Sequence, residues 1–246
     1  MIRLQHVTKS FGTQRVLTNL SLEIPNGENL VIIGRSGTGK SVTLKLILGL
    51  LHPDSGDIFV DNYHVNTLSE EELAPMRRNL GMVFQNGALF DSMTVGDNVA
   101  FPLREDKKLS PSEIRDEVHH ALSLVGLANA EMKMPSEISG GMRKRVALAR
   151  ALVRKPKIMM YDEPTAGLDP ILSDSISRLI KDVADQFNMT VVVVTHDMAS
   201  AYLIADRIAL LHQGQIYKIA SPEEIRQSTD PILYNFVRGI STNQDL

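Results

Sequence analysis

Apolar positions in the first part of the chain come in short runs. Ile2 and Leu4 flank Arg3, and Val16 to Ile24 alternates apolar with polar side chains. Both segments therefore read as strands, with Phe11-Gly12 and Pro25-Asn26-Gly27 as turns. Leu30-Val31-Ile32-Ile33 is unbroken, the pattern of a strand covered on both faces. A helix follows from near Lys40, with Leu44, Ile47 and Leu48 on one side. The stretch from about 85 to 155 reads as mostly helical. Within it Ile114, Val118, Ala121, Leu122 and Val125 recur at helical spacing behind Ser110-Pro111-Ser112-Glu113. Ser69-Glu70-Glu71-Glu72 and Ser221-Pro222-Glu223-Glu224 are helix starts of the same box type.

From 157 onward strands and helices alternate. Lys157 to Tyr161 and Thr190 to Val194 are predicted buried strands, 172 to 187 and about 198 to 204 helices. Arg207 to Leu211 and Gln215 to Ile219 form a strand pair across Gln213-Gly214. This order implies an α/β fold with a mostly parallel core sheet, an N-terminal antiparallel β part and an inserted helical lobe. Neither an internal repeat nor a low-complexity tract interrupts it.

Composition removes several classes. With 246 residues, 43% of them hydrophobic, and 26 basic against 29 acidic side chains, the chain is too apolar and too nearly neutral for disorder. Having no cysteine, it has no disulfide, no thiolate zinc site and no cysteine nucleophile. The net charge of -3 argues against a protein that wraps nucleic acid. Its longest apolar runs, Leu46 to Leu51 and Val191 to Val194, fall far short of the roughly 20 residues of a membrane span. Met1 to His6 lacks the start of a signal peptide, so a soluble intracellular protein is expected.

The chemistry is carried by three segments. Gly34-Arg35-Ser36-Gly37-Thr38-Gly39-Lys40-Ser41, followed by Val42, matches G-x-x-x-x-G-K-[ST] between a buried strand and a helix, the context a phosphate-binding loop requires. Its glycines let successive N–H groups face phosphate oxygens, Lys40 would reach the β and γ phosphates, and the Ser41 hydroxyl would coordinate Mg²⁺. The apolar strand Lys157 to Tyr161 ends in Asp162 and Glu163. A carboxylate at that end of a parallel strand faces the ligand crevice, so Asp162 is suited to Mg²⁺ and Glu163 to orienting or deprotonating the attacking water. Ser139-Gly140-Gly141-Met142 is by itself also a good helix start.

The ordered set of phosphate loop, Gln85, Ser139-Gly140-Gly141, Asp162-Glu163, Gly167-Leu168-Asp169 and His196 resembles the ATP-binding-cassette ATPases from Phe11 to about residue 220. The resemblance implies that Phe11 stacks on adenine with Val16 nearby, and that Gln85 touches Mg²⁺ and reports nucleotide state to the helical lobe. It implies that Ser139, Gly140 and Gly141 meet the γ-phosphate held by a second protomer, and that Asp169 helps build the dimer interface. His196 would contact the γ-phosphate and position Glu163. One cassette domain is implied, with 1–84 and 157–220 as catalytic core, about 85–156 as helical lobe and about 221–246 as C-terminal helical tail. Two chains would sandwich two Mg-ATP, so the implied partners are a second copy and an integral membrane permease.

Members that organise DNA carry long coiled-coil insertions, and translation factors carry two cassettes; neither fits this chain. The signature with Met142, where most members have glutamine, the phosphate loop Gly34 to Val42 and the run Asp162 to Pro170 resemble the ATPases of Mla and Mce-type phospholipid transporters. That implies an Mce-type lipid-binding subunit and a small accessory subunit as partners, no nucleic acid, and a peripheral place on the cytoplasmic face of the inner membrane. An amino-acid or ion importer remains the alternative, with a soluble cassette acting on nucleic acid or the ribosome behind it. Two features stay apart from this scheme. The basic run Arg143, Lys144, Arg145, Arg150, Arg154, Lys155 and Lys157 reads as a solvated helix face. Ile232, Leu233, Phe236, Val237 and Ile240 form an apolar stripe that packs on its own cassette or docks a partner.

Overall fold

The computed structural model describes residues 1–240; the end of the expected tail, 241–246, lies outside the described residues. The chain divides into two compact units, one built from residues 1–73 and the chain from 192 onward, the other from 74–191.

The first unit opens with β1 (Ile2–Phe11) and β2 (Gln14–Ile24), then β3 (Asn29–Ile33), α1 (Lys40–Ile47), β4 (Ser55–Val60) and β5 (Tyr63–His64). β1 and β2 form an antiparallel hairpin, and β4 and β5 extend it into a four-stranded sheet of order β2-β1-β4-β5. β1 is longer than its alternation suggests. The ladder shifts register between Leu4 and Val7 and again before Ser10, and His6 takes φ of 54°, so the period-2 pattern breaks while the strand continues.

α2 (Glu70–Arg78) leads into the second unit, which holds β6 (Leu80–Val83), α3 (Val95–Asp106), α4 (Pro111–Leu124), α5 (Gly140–Leu152), β7 (Ile158–Asp162) and α6 (Pro170–Phe187). β6 and β7 pair in parallel from Leu80 opposite Ile158 to Val83 opposite Tyr161. The chain returns through β8 (Thr190–Thr195) to α7 (Met198–Ile204), β9 (Arg207–His212), β10 (Gln215–Ala220), α8 (Pro222–Gln227) and α9 (Pro231–Val237). In the first unit β10, β9, β3 and β8 stand in that order, with β3 and β9 parallel and the β9–β10 hairpin antiparallel. The expected α/β architecture, an antiparallel sheet beside a mixed sheet with parallel strands, is therefore what forms.

Every residue of β3, β7 and β8 is buried, which is why these strands are apolar without alternation. The three serine boxes all form. Ser69 with Glu72, Ser110 with Glu113, and Ser221 with Glu224 each exchange hydrogen bonds that fix the helix start. Those bonds hold the carboxyls of Glu72, Glu113 and Glu224 below the ordinary carboxylate range, the serine backbone N–H being the largest cause in each.

Candidate functional site

In the first unit, β3 delivers the chain into the glycine-rich loop and α1 carries it away. Gly37 and Gly39 take φ of 80° and 105°, values that side-chain-bearing residues rarely adopt. A Cβ at Gly34 would stand 2.6 Å from the carbonyl oxygen of Leu211, so the loop's first turn leaves no room for alanine. The Lys40 ammonium is 6% exposed and folds back over the loop, donating to the carbonyls of Gly34 at 2.7 Å and Arg35 at 3.1 Å. Thr38 Oγ1 donates to the Arg35 carbonyl at 2.8 Å. α1 begins at Gly39 without a side-chain cap and without an acid in its first turn, and Ser41 and Val42 sit half-buried in that turn. An uncapped helix start offers N–H donors and the positive end of the helix dipole to an anion.

A cavity of about 820 Å³ adjoins this loop. Arg35, Ser36, Gly37 and Thr38 line one part of it, Val16 another, and Ile232, Asn235 and Phe236 of α9 a third. That volume lies within the usual range for small-molecule pockets. Phe11, at the end of β1, is 46% exposed with the Lys9 ammonium 5.5 Å from its ring centre, and does not line the cavity. His196 follows β8 and is exposed. Asp197 beside it caps α7, accepting from Ala199 N at 2.9 Å and Ser200 Oγ at 2.5 Å.

In the second unit, β7 presents Asp162 and Glu163 in succession, each 8% exposed. Glu163 takes φ of 48°, in the left-handed region that a non-glycine residue occupies at a cost. Gln85 is exposed just past β6. Ser139 is exposed and caps α5, its Oγ accepting from Met142 N at 3.3 Å, with Gly140 exposed beside it. Gly141 is buried against Leu172, whose Cδ1 would lie 3.4 Å from an added Cβ. Asp169 Oδ1 accepts from the N–H groups of Ile171 and Leu172, both at 3.0 Å, and so caps α6.

The basic run behind Ser139 is solvated only at its end, where Lys155 and Lys157 are exposed; its other members are held by the protein. Arg143 donates to the Pro135 carbonyl and to Asp91, and Arg145 to the Val125 carbonyl and Ser175. Arg150 donates to the carbonyls of Gly87 and Ala88, both at 2.7 Å, and Arg154 to the Pro102 carbonyl and both oxygens of Asp106. Lys144 donates to the carbonyls of Gln85 and Glu163. Burial pulls the Lys144 ammonium below its ordinary pKa, while the charges of Glu163 and Asp162 oppose that shift. α5 is thus a scaffold whose cations hold the backbones of neighbouring loops. Hydropathy alone could not separate these donors from solvated ones, because both need polar positions at the same helical spacing.

The sequence profile described as ABC transporter matches residues 17–166. The chain belongs to the ABC transporter ATPases. It is 45% identical over 97% of its length to the probable ribonucleotide transport ATP-binding protein mkl of Mycobacterium leprae, of which it spans 69%. It is 40% identical over 98% of its length to the intermembrane phospholipid transport system ATP-binding protein MlaF of Haemophilus influenzae, spanning 91% of that protein. Among solved structures, the dimeric ATP-binding cassette MJ0796 in a post-hydrolysis state with ADP and phosphate superposes with a TM-score of 0.83 at 35% identity. That match covers 90% of this chain and 99% of the other. As an ABC ATPase, the protein binds ATP and couples its hydrolysis to transport. No helix among the described residues is long and apolar enough to cross a membrane.

Ser41 in the first unit, and Gln85 and Asp162 in the second, each carry a hard oxygen of the kind Mg²⁺ takes, one or two from protein with water and phosphate completing its shell. The sequence singled out Lys144, Arg150, Ile232 and Phe236 but did not place the first two on loop carbonyls or the last two at the cavity. The start signal Asp230-Pro231 marks α9, but nothing in the sequence says where it lies.

Proposed function

We propose that the protein is the ATP-hydrolysing motor of a transporter that moves phospholipids. Two copies close around two Mg-ATP and drive an integral membrane permease from the cytoplasmic face of the inner membrane. The observation that carries this reading is the match to MlaF along 98% of the chain and 91% of that protein. An Mce-type lipid-binding subunit and a small accessory subunit complete the proposed assembly. Residues 1–84 and 157–220 serve as the catalytic core and about 85–156 as the helical lobe.

In this scheme the N–H groups from Gly34 to Gly39 and the Lys40 ammonium hold the phosphates, and Val42 packs in the turn behind them. Phe11 and Val16 meet the base. Ser41, Gln85 and Asp162 would hold a magnesium ion, which would neutralise developing phosphate charge. Glu163 orients the attacking water and takes its proton; His196 donates to the γ-phosphate and keeps Glu163 in line. Ser139, Gly140 and Gly141 present the start of α5 to the γ-phosphate of the second protomer, and Asp169 fixes the first turn of α6. Loss of the γ-phosphate removes those contacts and releases the pair, a switch driven by one phosphoryl group.

Glu163→Gln keeps the shape of the side chain and removes the base. It is expected to lower turnover by about a hundredfold or more and to accumulate an ATP-bound dimer in size-exclusion chromatography. Near-normal hydrolysis would remove Glu163 from this role. For the cargo, the complex is purified in detergent with its permease and the retained small molecules are identified by mass spectrometry. Phospholipid supports the proposal. Nucleotide cargo supports the second reading, which the name of the 45% identical mycobacterial ribonucleotide transport relative favours. An amino acid or ion in their place would make the protein an importer ATPase.

A further inference from the structure

α5 places one ammonium deep among polar backbone groups. Lys144 is 9% exposed, and its Nζ donates both to the carbonyl of Gln85 and, at 3.4 Å, to the carbonyl of Glu163. These two carbonyls belong to the residues assigned above to nucleotide sensing and to hydrolysis. Glu163 stands at φ of 48°, in the left-handed region that a glutamate occupies only at a cost. Such a conformation persists only where its surroundings hold it. The Glu163 carbonyl is held twice, by Lys144 and by Ala166 N at 3.2 Å.

A buried ammonium is costly unless it is compensated, and an apolar side chain would fill the same volume without that cost. Here the carboxylates of Asp162 and Glu163 supply the opposite charge, and the two carbonyls accept its protons. The position is therefore explained by what the ammonium holds rather than by packing. Lysine can serve two carbonyls at once because it has three donors on one atom.

We propose that Lys144 is a positioning residue, a bridge that ties the Gln85 loop to the left-handed turn at Glu163 so that both adopt their working geometry together. This rests on the assignment of Glu163 to hydrolysis. Removing the bridge lets Glu163 relax out of the left-handed region and turns its carboxylate away from the water it orients. The phosphate-binding loop lies on another segment of the chain, so ATP binding changes far less than turnover.

The test is steady-state ATPase kinetics of the full chain carrying Lys144→Met, Lys144→Gln or Lys144→Arg, with Glu163→Gln alongside. Lys144→Met is expected to lower kcat about tenfold or more while KM for ATP stays within about threefold. Lys144→Arg, which keeps a cationic donor, is expected to recover most of kcat. In a Gln85→Ala background the Lys144→Met effect is expected to shrink to about threefold, because the loop being held has lost its acting side chain. A kcat within twofold of the parent in folded Lys144→Met overturns the proposal, as do full additivity with Gln85→Ala and a rise in KM alone. If Lys144→Met does not fold, Lys144→Gln carries the same criteria. Normal turnover in Glu163→Gln would instead overturn the hydrolytic assignment beneath it.

Discussion

Leu233 is fully buried on α9, a seven-residue helix whose Ile232, Phe236 and Val237 are half-buried. A helix that short is not stable by itself in water, so its order comes from docking. The docked state is held by this apolar face, by the Asp230 cap on Leu233 N at 3.0 Å, and by the Tyr217 hydroxyl donating to Asp230 at 2.8 Å. Leu233→Ala removes the central contact. Deleting a buried leucine side chain costs about 2–5 kcal/mol when the surroundings cannot collapse. A terminal helix has another way out: once the loss exceeds its docking energy it detaches, and further destabilisation stops. The expected global loss is therefore near the lower end, about 2 kcal/mol, and the larger effect is local. A 2 kcal/mol loss in docking raises the open population about thirtyfold, so amide exchange across 232–238 should accelerate by that factor while β3 and β8 stay protected. Hydrogen–deuterium exchange read by mass spectrometry measures both at once. Protection of 232–238 within about threefold of the parent would refute docking of α9 on its own chain.

Three further outcomes follow from the same geometry. Tyr161 is 1% exposed, its hydroxyl has no hydrogen-bond partner among the described residues, and burial drives its pKa well above the ordinary value. Tyr161→Phe should therefore stabilise the protein by about 1 kcal/mol in urea denaturation, and a loss of stability would show that the hydroxyl is satisfied. Gly34→Ala puts a Cβ 2.6 Å from the Leu211 carbonyl, so ATP binding measured by calorimetry should weaken by about tenfold or more, and an unchanged affinity would contradict the loop geometry. Acid should destabilise the helix starts. Asp97, held below the ordinary range first by the Thr94 hydroxyl and then by Arg104, and Glu113 and Glu224, held by their serine N–H groups, have folded pKa values depressed below the unfolded ones. Their contribution is complete above about pH 5 and is lost as pH falls through the carboxylate range, so the melting temperature should drop below that pH. A flat melting temperature down to about pH 3 would sink this account.

Much of the scaffold was legible because it follows from local chemistry. Ser110 and Glu113 had to start a helix, Leu30 to Ile33 had to be doubly covered, and the loop between Ile33 and Lys40 carried its own spacing. β4 and β5 passed unread because Ser55 to Val60 alternates over too few residues to stand out, and it becomes a strand by pairing with β1. The same limit hid the role of α5. A lysine that clamps two carbonyls and one that reaches solvent have the same composition and spacing; only tertiary structure supplies the acceptors. Phe11 marks a third kind of limit. The family resemblance placed it on the base of the nucleotide, yet whether it lines the cavity depends on loop positions that no local pattern specifies.

The two-unit division has a consequence for synthesis. The 74–191 unit is contiguous and can collapse as soon as its last residues emerge, with most of its contacts local to that segment. The first unit cannot. Its β3–β9 ladder joins Leu30 to Arg207, and Asn29 N donates to Asp206 across 177 positions. Closing so long a loop costs about 2.5 kcal/mol more than closing one of ten residues, by the logarithmic dependence on length. β3 must therefore wait on the ribosome for a partner strand made much later. The phosphate loop, translated early, acquires the Leu211 wall against Gly34 only near the end of translation.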